Sequence, residues 1–320
     1  SLLMPQYDKK SLKHLADQFK ISSGLDSVQH IELLDQIKQY PQQEAVQIIN
    51  YFASIETNPD ILYYLLKRIE AYKDPSSIDV LSDLLLSKSG NAHIVENMSQ
   101  YVKIRSLAAK VLSSFKDNKA VLPLLYILNS KEEDYKLRLN CAEALGKLGN
   151  NYAVSPLIDI VSDKTEQSIY LKESATKALG MIGDMRAVEP LVAILESNES
   201  FISKFSFLKE RILETLRKIG SKDDRTFKAI KKSLLDNSPF VRIDAIEALS
   251  ELDDDRVIPL IEDRLFDEDE EVAKSAVVAL YNILGEEYLF EMRRRPDIPL
   301  CCIEEAEAIL DDNEDEYNED

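Results

Sequence analysis

Five basic residues recur along the chain at intervals of 33 to 37 positions. A row of cations can bind an acidic partner, or it can pair with carboxylate and carbonyl groups of the protein itself. We predict the second, a structural ladder between repeats, because each cation stands seven residues before the leucine of a similar apolar phrase and carboxylates are plentiful in the adjacent turns. The five residues are Arg105, Arg138, Lys172, Lys209 and Arg242.

Residues suited to metal binding or nucleophilic catalysis are few. The three histidines, His14, His30 and His93, are scattered through the first third of the chain, and no His-Glu dipeptide occurs. A metal site needs ligands that converge on one place, so this scatter argues against one. Cys141 occupies a position that is mostly alanine in the other phrases, which favours a buried core thiol over a nucleophile. The sequence therefore predicts no metal, no cofactor and no catalytic residue.

The charge of the chain limits its partners. The formal net charge is −19 at pH 7, and residues 304–320 contain ten acidic residues and no basic one. An acidic surface repels phosphate backbones, which argues against nucleic acid as a partner. No run of 18 apolar residues occurs, which argues against a membrane partner. Three cysteines without a disulfide pattern favour a reduced, cytoplasmic protein.

The apolar phrase itself predicts an α-helix. If its leucine is position 0, apolar or small residues stand at −8, −4, 0 and +3, which is the spacing of one helix face. The residue at −4 is mostly alanine, so a neighbouring helix can approach closely. The position 0 residues are Leu112, Leu145, Leu179, Leu216, Leu249 and Leu280, with Ile69 as a more distant equivalent.

A second phrase, Ala-Val-x-Pro-Leu, follows the turn after several of these helices and predicts a partner helix. Its prolines, Pro123, Pro156 and Pro190, lie 33 and 34 residues apart. A proline inside a helix removes a backbone hydrogen bond and is expected to bend the helix. Candidate caps are Asp117, Asn150 and Asp184 at N-termini and Gly149 and Gly183 at C-termini.

Self-similarity at this period is typical of stacked helical repeats. The units resemble HEAT repeats, specifically the short type named for phycobilisome lyases, most closely over residues 144–157 and 178–191. The resemblance implies an all-α fold: a right-handed α-solenoid of about seven stacked helical pairs, an armadillo-type superhelix. It also implies that the second helix of each pair lines a concave groove, and that the basic residue at −7 forms an inter-repeat ladder.

The predicted organisation has three parts. Residues 1–27 are expected to form an N-terminal arm or cap, and residues 28–303 the repeat solenoid. Residues 304–320 are expected to hold the end of a last helix, finishing near Leu310, and a disordered acidic tail. Helical stretches at 28–39 and 42–55 are expected to form one helical pair.

Helix positions outside the core carry the first set of candidate binding residues. At −5, −2 and +2 the chain is mainly basic in its middle and acidic towards its C-terminus, and such a gradient can orient a partner of complementary charge. An ordinary solvated helix face is an equally good interpretation. The candidate strip for an acidic protein surface is Lys110, Lys147, Lys177, Arg211 and Lys218.

A second candidate surface is aromatic. Tyr170, Phe207 and Phe240 each stand two residues before a ladder cation and can form an apolar stripe on one edge of the repeats, where aromatic residues serve as interface anchors. Such residues more often fill gaps between stacked turns. The longer turns at 87–101 and 196–207 are further places where a repeat protein can add specificity.

Two functions fit these observations. The first is a non-enzymatic scaffold or adaptor that binds a protein partner through the groove or the turn edge. The alternative, implied by the repeat subtype alone, is a phycobilin lyase subunit or a lyase-like chaperone acting on a bilin-bearing protein. Fold resemblance does not establish function, and the sequence leaves the partner and the oligomeric state open.

Overall fold

The computed structural model describes residues 26–87, 98–197 and 206–319, together with a few positions between 10 and 17. Within these residues the chain forms 17 α-helices and several short 3-10 turns, and no β-strand occurs among them. The prediction of an all-α repeat protein is confirmed. Among the described helices, none is both long and apolar enough to cross a membrane. The predicted N-terminal arm lies almost wholly outside the described residues.

The helices belong to two compact units, of which the first ends at Leu157. In this unit α2 packs on α3, α4 on α5 and α6 on α7, and the second members α3, α5 and α7 stack on one another in order. The helices are α1 (Ser27–Asp35), α2 (Gln42–Ile55), α3 (Pro59–Tyr72), α4 (Ile78–Leu85), α5 (Met98–Ser114), α6 (Val121–Asn129) and α7 (Tyr135–Leu148).

The second unit begins at Ile158, within α8 (Val154–Ser162). Its second helices α9, α11, α13, α15 and α17 stack in order, and α10, α12, α14 and α16 each pack on the second helix that follows them. The helices are α9 (Ile169–Ile182), α10 (Val188–Glu196), α11 (Ser206–Ile219), α12 (Asp224–Ser233), α13 (Pro239–Ser250), α14 (Val257–Asp263), α15 (Glu270–Leu284), α16 (Glu286–Arg294) and α17 (Leu300–Asn318).

The repeated apolar positions form the core of each unit. The residues at positions 0 and −4 are almost completely buried, as Leu145 and Ala175 illustrate. The residues at +3, such as Leu148 and Ile182, are only half-buried because they lie in the last turn of their helix. Burying each Leu or Ile of this set stabilises the fold by about 1.5–3 kcal/mol.

The repeat prolines lie near the start of their helices. Pro123 is the third residue of α6, and Pro156, Pro190 and Pro259 hold the same place in α8, α10 and α14. Amide groups in the first helical turn have no intrahelical acceptor, so proline loses nothing there. A short 3-10 turn precedes α6, α8 and α10, and its first amides are capped by Asp117, Asn150 and Asp184. Gly149 and Gly183 take the left-handed conformation that ends α7 and α9.

Residues 42–55 contact both of their neighbours at the start of the chain. Helix α2 contacts the 3-10 turn Gln36–Gln39, within the stretch 28–39, and it also packs on α3. The Asn58 side chain caps α3, and Pro59 is the first residue of that helix.

The chain contains a further pair, α16 and α17, that the sequence did not reveal. Cys302, Ala306 and Leu310 occupy positions −8, −4 and 0 of this last repeat and are buried. The expectation that the last helix finishes near Leu310 is wrong, because α17 continues to Asn318. Asn313 holds this extra part by donating hydrogen bonds to the Tyr281 hydroxyl (3.0 Å) and to Glu286 Oε1 (2.9 Å). The predicted boundary between the N-terminal arm (1–27) and the solenoid (28–303), and the end of the solenoid at 303, remain predictions.

A close helix contact in the second unit gives the first testable prediction. A methyl group at Gly180 in α9 would lie 3.1 Å from Thr215 Oγ1 and 3.4 Å from the Thr215 Cα atom in α11. Crowding of this kind costs about 1–3 kcal/mol, and alanine recovers about 1 kcal/mol of helix propensity. Gly180→Ala is therefore expected to lower the free energy of unfolding by about 1 kcal/mol in chemical denaturation.

The double variant Gly180→Ala/Thr215→Ala tests the cause of that loss. Thr215 donates a hydrogen bond to the Thr176 carbonyl (3.1 Å), so Thr215→Ala alone is also destabilising. If the two side chains collide, the double variant loses less stability than the sum of the single variants. Simple additivity would show that α9 and α11 can separate without strain.

Candidate protein-binding surfaces

The five repeated cations lie near the start of the second helices and contact the turns beside them. In the first unit, Arg105 Nε donates to the carbonyl of Leu85, the last residue of α4 (2.8 Å), and its two Nη atoms bind Glu133 of the next repeat (3.0 and 2.7 Å). Arg138 Nε likewise donates to the Leu128 carbonyl near the end of α6 (2.9 Å). A helix C-terminus has unpaired carbonyl groups and a partial negative charge, so a cation is stabilising there.

The same arrangement continues in the second unit. Lys172 Nζ donates to the carbonyl groups of Val161 and Asp163 (3.2 and 2.6 Å). Lys209 forms an ion pair with Asp236 of the following repeat (2.7 Å), and Arg242 binds Asp267 through two hydrogen bonds (3.0 and 2.9 Å).

These contacts leave the ladder cations little surface for a partner. Arg105, Arg138, Lys172 and Arg242 are less than a tenth exposed, although each carries a full charge. Their charge is met by protein carbonyls and carboxylates, which is the geometry that the ladder interpretation requires.

The five residues of the candidate basic strip differ from one another in their surroundings. Lys110, Lys147 and Lys177 are exposed, and none of them forms an ion pair with a described residue. Arg211 is bound by Glu173 of α9 (3.0 Å) and by Glu214 (2.8 Å). Lys218 binds Glu214 as well (3.1 Å). The positive charge at the last two positions is therefore neutralised within the second unit.

The outward positions of the C-terminal repeats line an open groove. Its volume is about 560 Å³, and its walls come from α11, α13, α15 and α17 of the second unit. The lining includes Glu247 and Glu251 at positions −2 and +2 of α13, Ser275, Val278 and Asn282 at −5, −2 and +2 of α15, and Glu305 at −5 of α17. We call this surface the C-terminal groove.

Negative charge is in excess in the C-terminal groove. It holds four carboxylates, on Glu247, Glu251, Glu271 and Glu305, and two cations, on Arg217 and Lys274. Both cations are paired inside the groove, Arg217 with Glu251 (3.0 Å) and Lys274 with Glu271 (3.6 Å). Glu247 and Glu305 form no ion pair with any residue in the described ranges.

The carboxyl of Asp244 in α13 lies near several other negative charges. Partial burial, together with the negative charges of Glu247, Glu210 and Glu214, raises the pKa of the Asp244 carboxyl to about 7, while Arg217 opposes them. At neutral pH this carboxyl is therefore only partly ionised.

The aromatic stripe predicted at the turn edge is partly assembled. The rings of Tyr170 and Phe207 stack across α9 and α11, with centroids 5.8 Å apart and planes 19° apart. The exposed fractions of Tyr170 and Phe240 are 57% and 64%, so neither ring fills a gap between turns. Leu235 and Phe266 are also exposed and line a shallow cavity of about 360 Å³ with Arg242. Both stand 14 residues before the position 0 leucine of their repeat, Leu249 and Leu280, a regularity that could have revealed them in the sequence.

The cysteine and histidine side chains that the structure describes do not form a common site. Burial raises the pKa of the Cys141 thiol, so this sulfur is not ionised at neutral pH. Cys302 is also buried, and its thiol donates to the Leu265 carbonyl (3.4 Å). His93 and most of the turns at 87–101 and 196–207 lie outside the described residues. In the part of the chain that is described, no cluster of histidine, cysteine, aspartate and glutamate is arranged to hold a metal ion.

The sequence of the chain matches a family model described as HEAT repeats over residues 92–174, 123–204 and 203–281. These overlapping matches together cover more than half of the chain. The chain belongs to the HEAT-repeat family. A comparison with curated proteins found no match.

Two solved structures with TM-scores above 0.5 show the fold of this HEAT-repeat chain. The karyopherin Kap121p, bound to the extreme C-terminus of the protein phosphatase Cdc14p, is 14% identical with a TM-score of 0.56 over 95% of this chain and 37% of the karyopherin. YibA from E. coli is 14% identical with a TM-score of 0.51 over 89% of this chain and 98% of YibA. The CpcE–CpcF phycocyanin lyase from a Nostoc species is 22% identical with a TM-score of 0.45, over 73% of this chain and 94% of that one.

Proposed function

We propose that this HEAT-repeat protein is a non-enzymatic scaffold that binds another protein through the outward positions of its second helices. The C-terminal groove carries this proposal, because consecutive helices there leave a continuous open surface that the core does not use. The side chains that line the groove are mostly charged or polar, and not all of its carboxylates are paired with a cation of the groove. A folded core surrounds the groove, so a partner meets a preorganised surface and little ordering entropy opposes binding.

Two further surfaces are candidates for the same role. The exposed lysines Lys110 and Lys147 in the first unit and Lys177 in the second would attract an acidic protein surface. The stacked Tyr170–Phe207 pair and exposed Phe240 offer apolar anchors at the turn edge.

Site-specific photo-crosslinking in the native host distinguishes these surfaces. A photoreactive amino acid is placed at Lys110, Lys177, Val278 or Phe240, and the crosslinked proteins are identified by mass spectrometry. Leu122 is the control site, because it is 76% exposed but lies on a first helix. We expect one dominant adduct from Lys177 or Val278 and none from Leu122.

The outcome at each site separates the alternatives. An adduct from Phe240 alone would move the binding surface to the turn edge. Adducts of equal strength at Leu122 and Val278 would contradict a binding role for the second helices. Exchanging Lys147, Lys177 and Lys218 for glutamate should abolish binding to any partner that the basic strip recognises, and unchanged affinity in this triple variant would exclude the strip.

The phycobilin lyase function is the alternative that the repeat subtype suggests. It predicts that the purified chain, alone or with a second repeat subunit, binds a bilin and gains visible absorbance. A protein adduct without any pigment binding would favour the scaffold.

A further inference from the structure

We infer that the C-terminal groove binds an extended segment of a partner protein that carries two basic residues about six positions apart, with an apolar residue on the same face between them. This inference rests on the proposed function and adds the chemistry of the partner. It concerns α11, α13, α15 and α17 only.

The ion pairs that already exist in the groove determine whether an acidic or a basic partner fits it. Arg217 and Lys274 are held by Glu251 and Glu271, so an acidic partner would have to break these pairs. Glu247 and Glu305 have no such partner among the described residues and both line the groove. A basic segment gains two new ion pairs there without breaking an existing one.

The crowding around Asp244 supports the same sign. Its carboxyl is held partly protonated at neutral pH by burial and by the charges of Glu247, Glu210 and Glu214. A cation bound at Glu247 would offset that repulsion and favour the ionised form of Asp244. Binding of a basic segment is therefore coupled to the release of a proton near pH 7.

The spacing of the basic residues follows from the helix stacking. Glu247 lies on α13 and Glu305 on α17, with α15 between them. Packed helices lie about 8–10 Å apart, so two steps cover roughly 20 Å. An extended chain advances about 3.3 Å per residue, and about six residues therefore join the two carboxylates.

The middle of the groove favours an apolar side chain. Val278 is 37% exposed and lies on the groove wall of α15, with Ala279, Ser275 and Asn282 beside it. None of these four side chains carries a charge. A leucine-sized residue two positions from one basic residue and four from the other points to the same side of the extended segment as both. It would cover Val278 and gain about 25 cal/mol per Å² of apolar surface removed from water.

Fluorescence anisotropy with a labelled nine-residue peptide tests the inference. The probe has lysine at its second and eighth positions, leucine at its fourth and small neutral residues elsewhere. A control peptide of the same composition has its two lysines adjacent. We expect the spaced peptide to bind at least about fivefold more tightly at low salt, because only it can reach both carboxylates.

A matched pair of protein variants tests the site. Glu247→Gln/Glu305→Gln removes the two unpaired groove carboxylates, and Asp253→Asn/Asp255→Asn removes two exposed carboxylates from the turn before α14. Both change the net charge equally. We expect the groove variant to weaken binding about tenfold and the control variant to leave it within about twofold, with both unfolding at the parent temperature.

The proton coupling provides an independent readout. Affinity for the spaced peptide is expected to rise between pH 6 and pH 8 in the parent and to stay level in Asp244→Asn. Equal binding of the two peptides, or equal effects of the two double variants, would reduce the attraction to net charge alone and overturn the inference. In that case a crosslinked adduct at Lys177 or Phe240 would still support the scaffold, so the two proposals can fail separately.

Discussion

Replacing Arg242 with methionine is expected to lower the free energy of unfolding by about 3 kcal/mol. The side chains of Arg242 and Asp267 are only 8% and 3% exposed, and two hydrogen bonds join them. Arg242 Nη1 also donates to the carbonyl groups of Asp236 and Asn237 (2.8 and 3.2 Å). Methionine fills the space of the aliphatic stem but leaves a buried carboxylate and two carbonyls without this donor.

One remaining contact limits the loss. Arg264 Nη1 lies 3.2 Å from Asp267 Oδ2 and keeps part of the charge balanced. For this reason we expect the lower end of the cost of breaking a buried pair, which is about 3–5 kcal/mol. The measurement is the midpoint and slope of denaturant unfolding followed by circular dichroism.

Arg186→Met is the matched control for this prediction. Arg186 also pairs with an aspartate, Asp184, but the Arg186 side chain is 58% exposed. Exposed ion pairs contribute at most about 1 kcal/mol, so this variant should be close to the parent. If both variants lost similar amounts of stability, the ladder would have no structural role. Its cations would then again be candidates for partner binding.

The double variant Arg242→Met/Asp267→Leu tests whether the cost arises from the stranded charge. Removing both partners of a buried pair is often neutral or stabilising, whereas removing one is strongly destabilising. We expect the double variant to recover at least half of the stability that Arg242→Met loses.

The repeat core could be predicted from the sequence because its positions are set by local periodicity. Leu145 and Leu179 are buried where the helix spacing places them, Gly149 ends α7 as predicted, and Asp117 caps the 3-10 turn that leads into α6. Helix periodicity and capping depend on residues a few positions apart, which the sequence displays directly.

The last repeat and the groove could not be predicted in the same way. In α17 an isoleucine, Ile303, stands at −7 where five earlier repeats have a cation, and no proline phrase precedes it, so only the burial of Cys302 and Leu310 reveals the pair. The neutralisation of Arg211 depends on Glu173, 38 positions earlier and on another helix. Sequence spacing alone gave all five strip cations equal weight, and the tertiary structure separates them.

The second large effect is a change in the pH dependence of stability at Asp244. In the unfolded chain this carboxyl titrates near its ordinary value of about 3.9, whereas in the folded protein its pKa is raised to about 7. Between these values the folded state binds more protons than the unfolded state, so stability falls as pH rises from about 4 to 7. The loss is complete above the folded pKa.

Asp244→Asn removes this loss, because the amide has the shape of the carboxyl and no charge. A shift of about three pKa units corresponds to roughly 4 kcal/mol, and screening by solvent around this half-buried carboxyl reduces it to about 2 kcal/mol. We expect the variant to exceed the parent by about 2 kcal/mol at pH 8 and to be nearly equal to it at pH 4, measured by denaturant unfolding at each pH. Asp255→Asn, at an exposed carboxylate of the turn before α14, should differ from the parent by the same small amount at every pH.

The same variant connects stability to binding. At neutral pH the ionised Asp244 carboxylate destabilises the free protein, and only a cation placed beside it offsets this effect. The spaced basic peptide should therefore stabilise the parent more at pH 8 than at pH 6. In Asp244→Asn this difference should vanish, although Glu247 and Glu305 remain available to the peptide. If the stability difference between parent and variant stayed constant from pH 4 to pH 8, the groove carboxylates would be too well solvated for their charges to repel one another. The predicted coupling between peptide binding and proton release would then also be wrong.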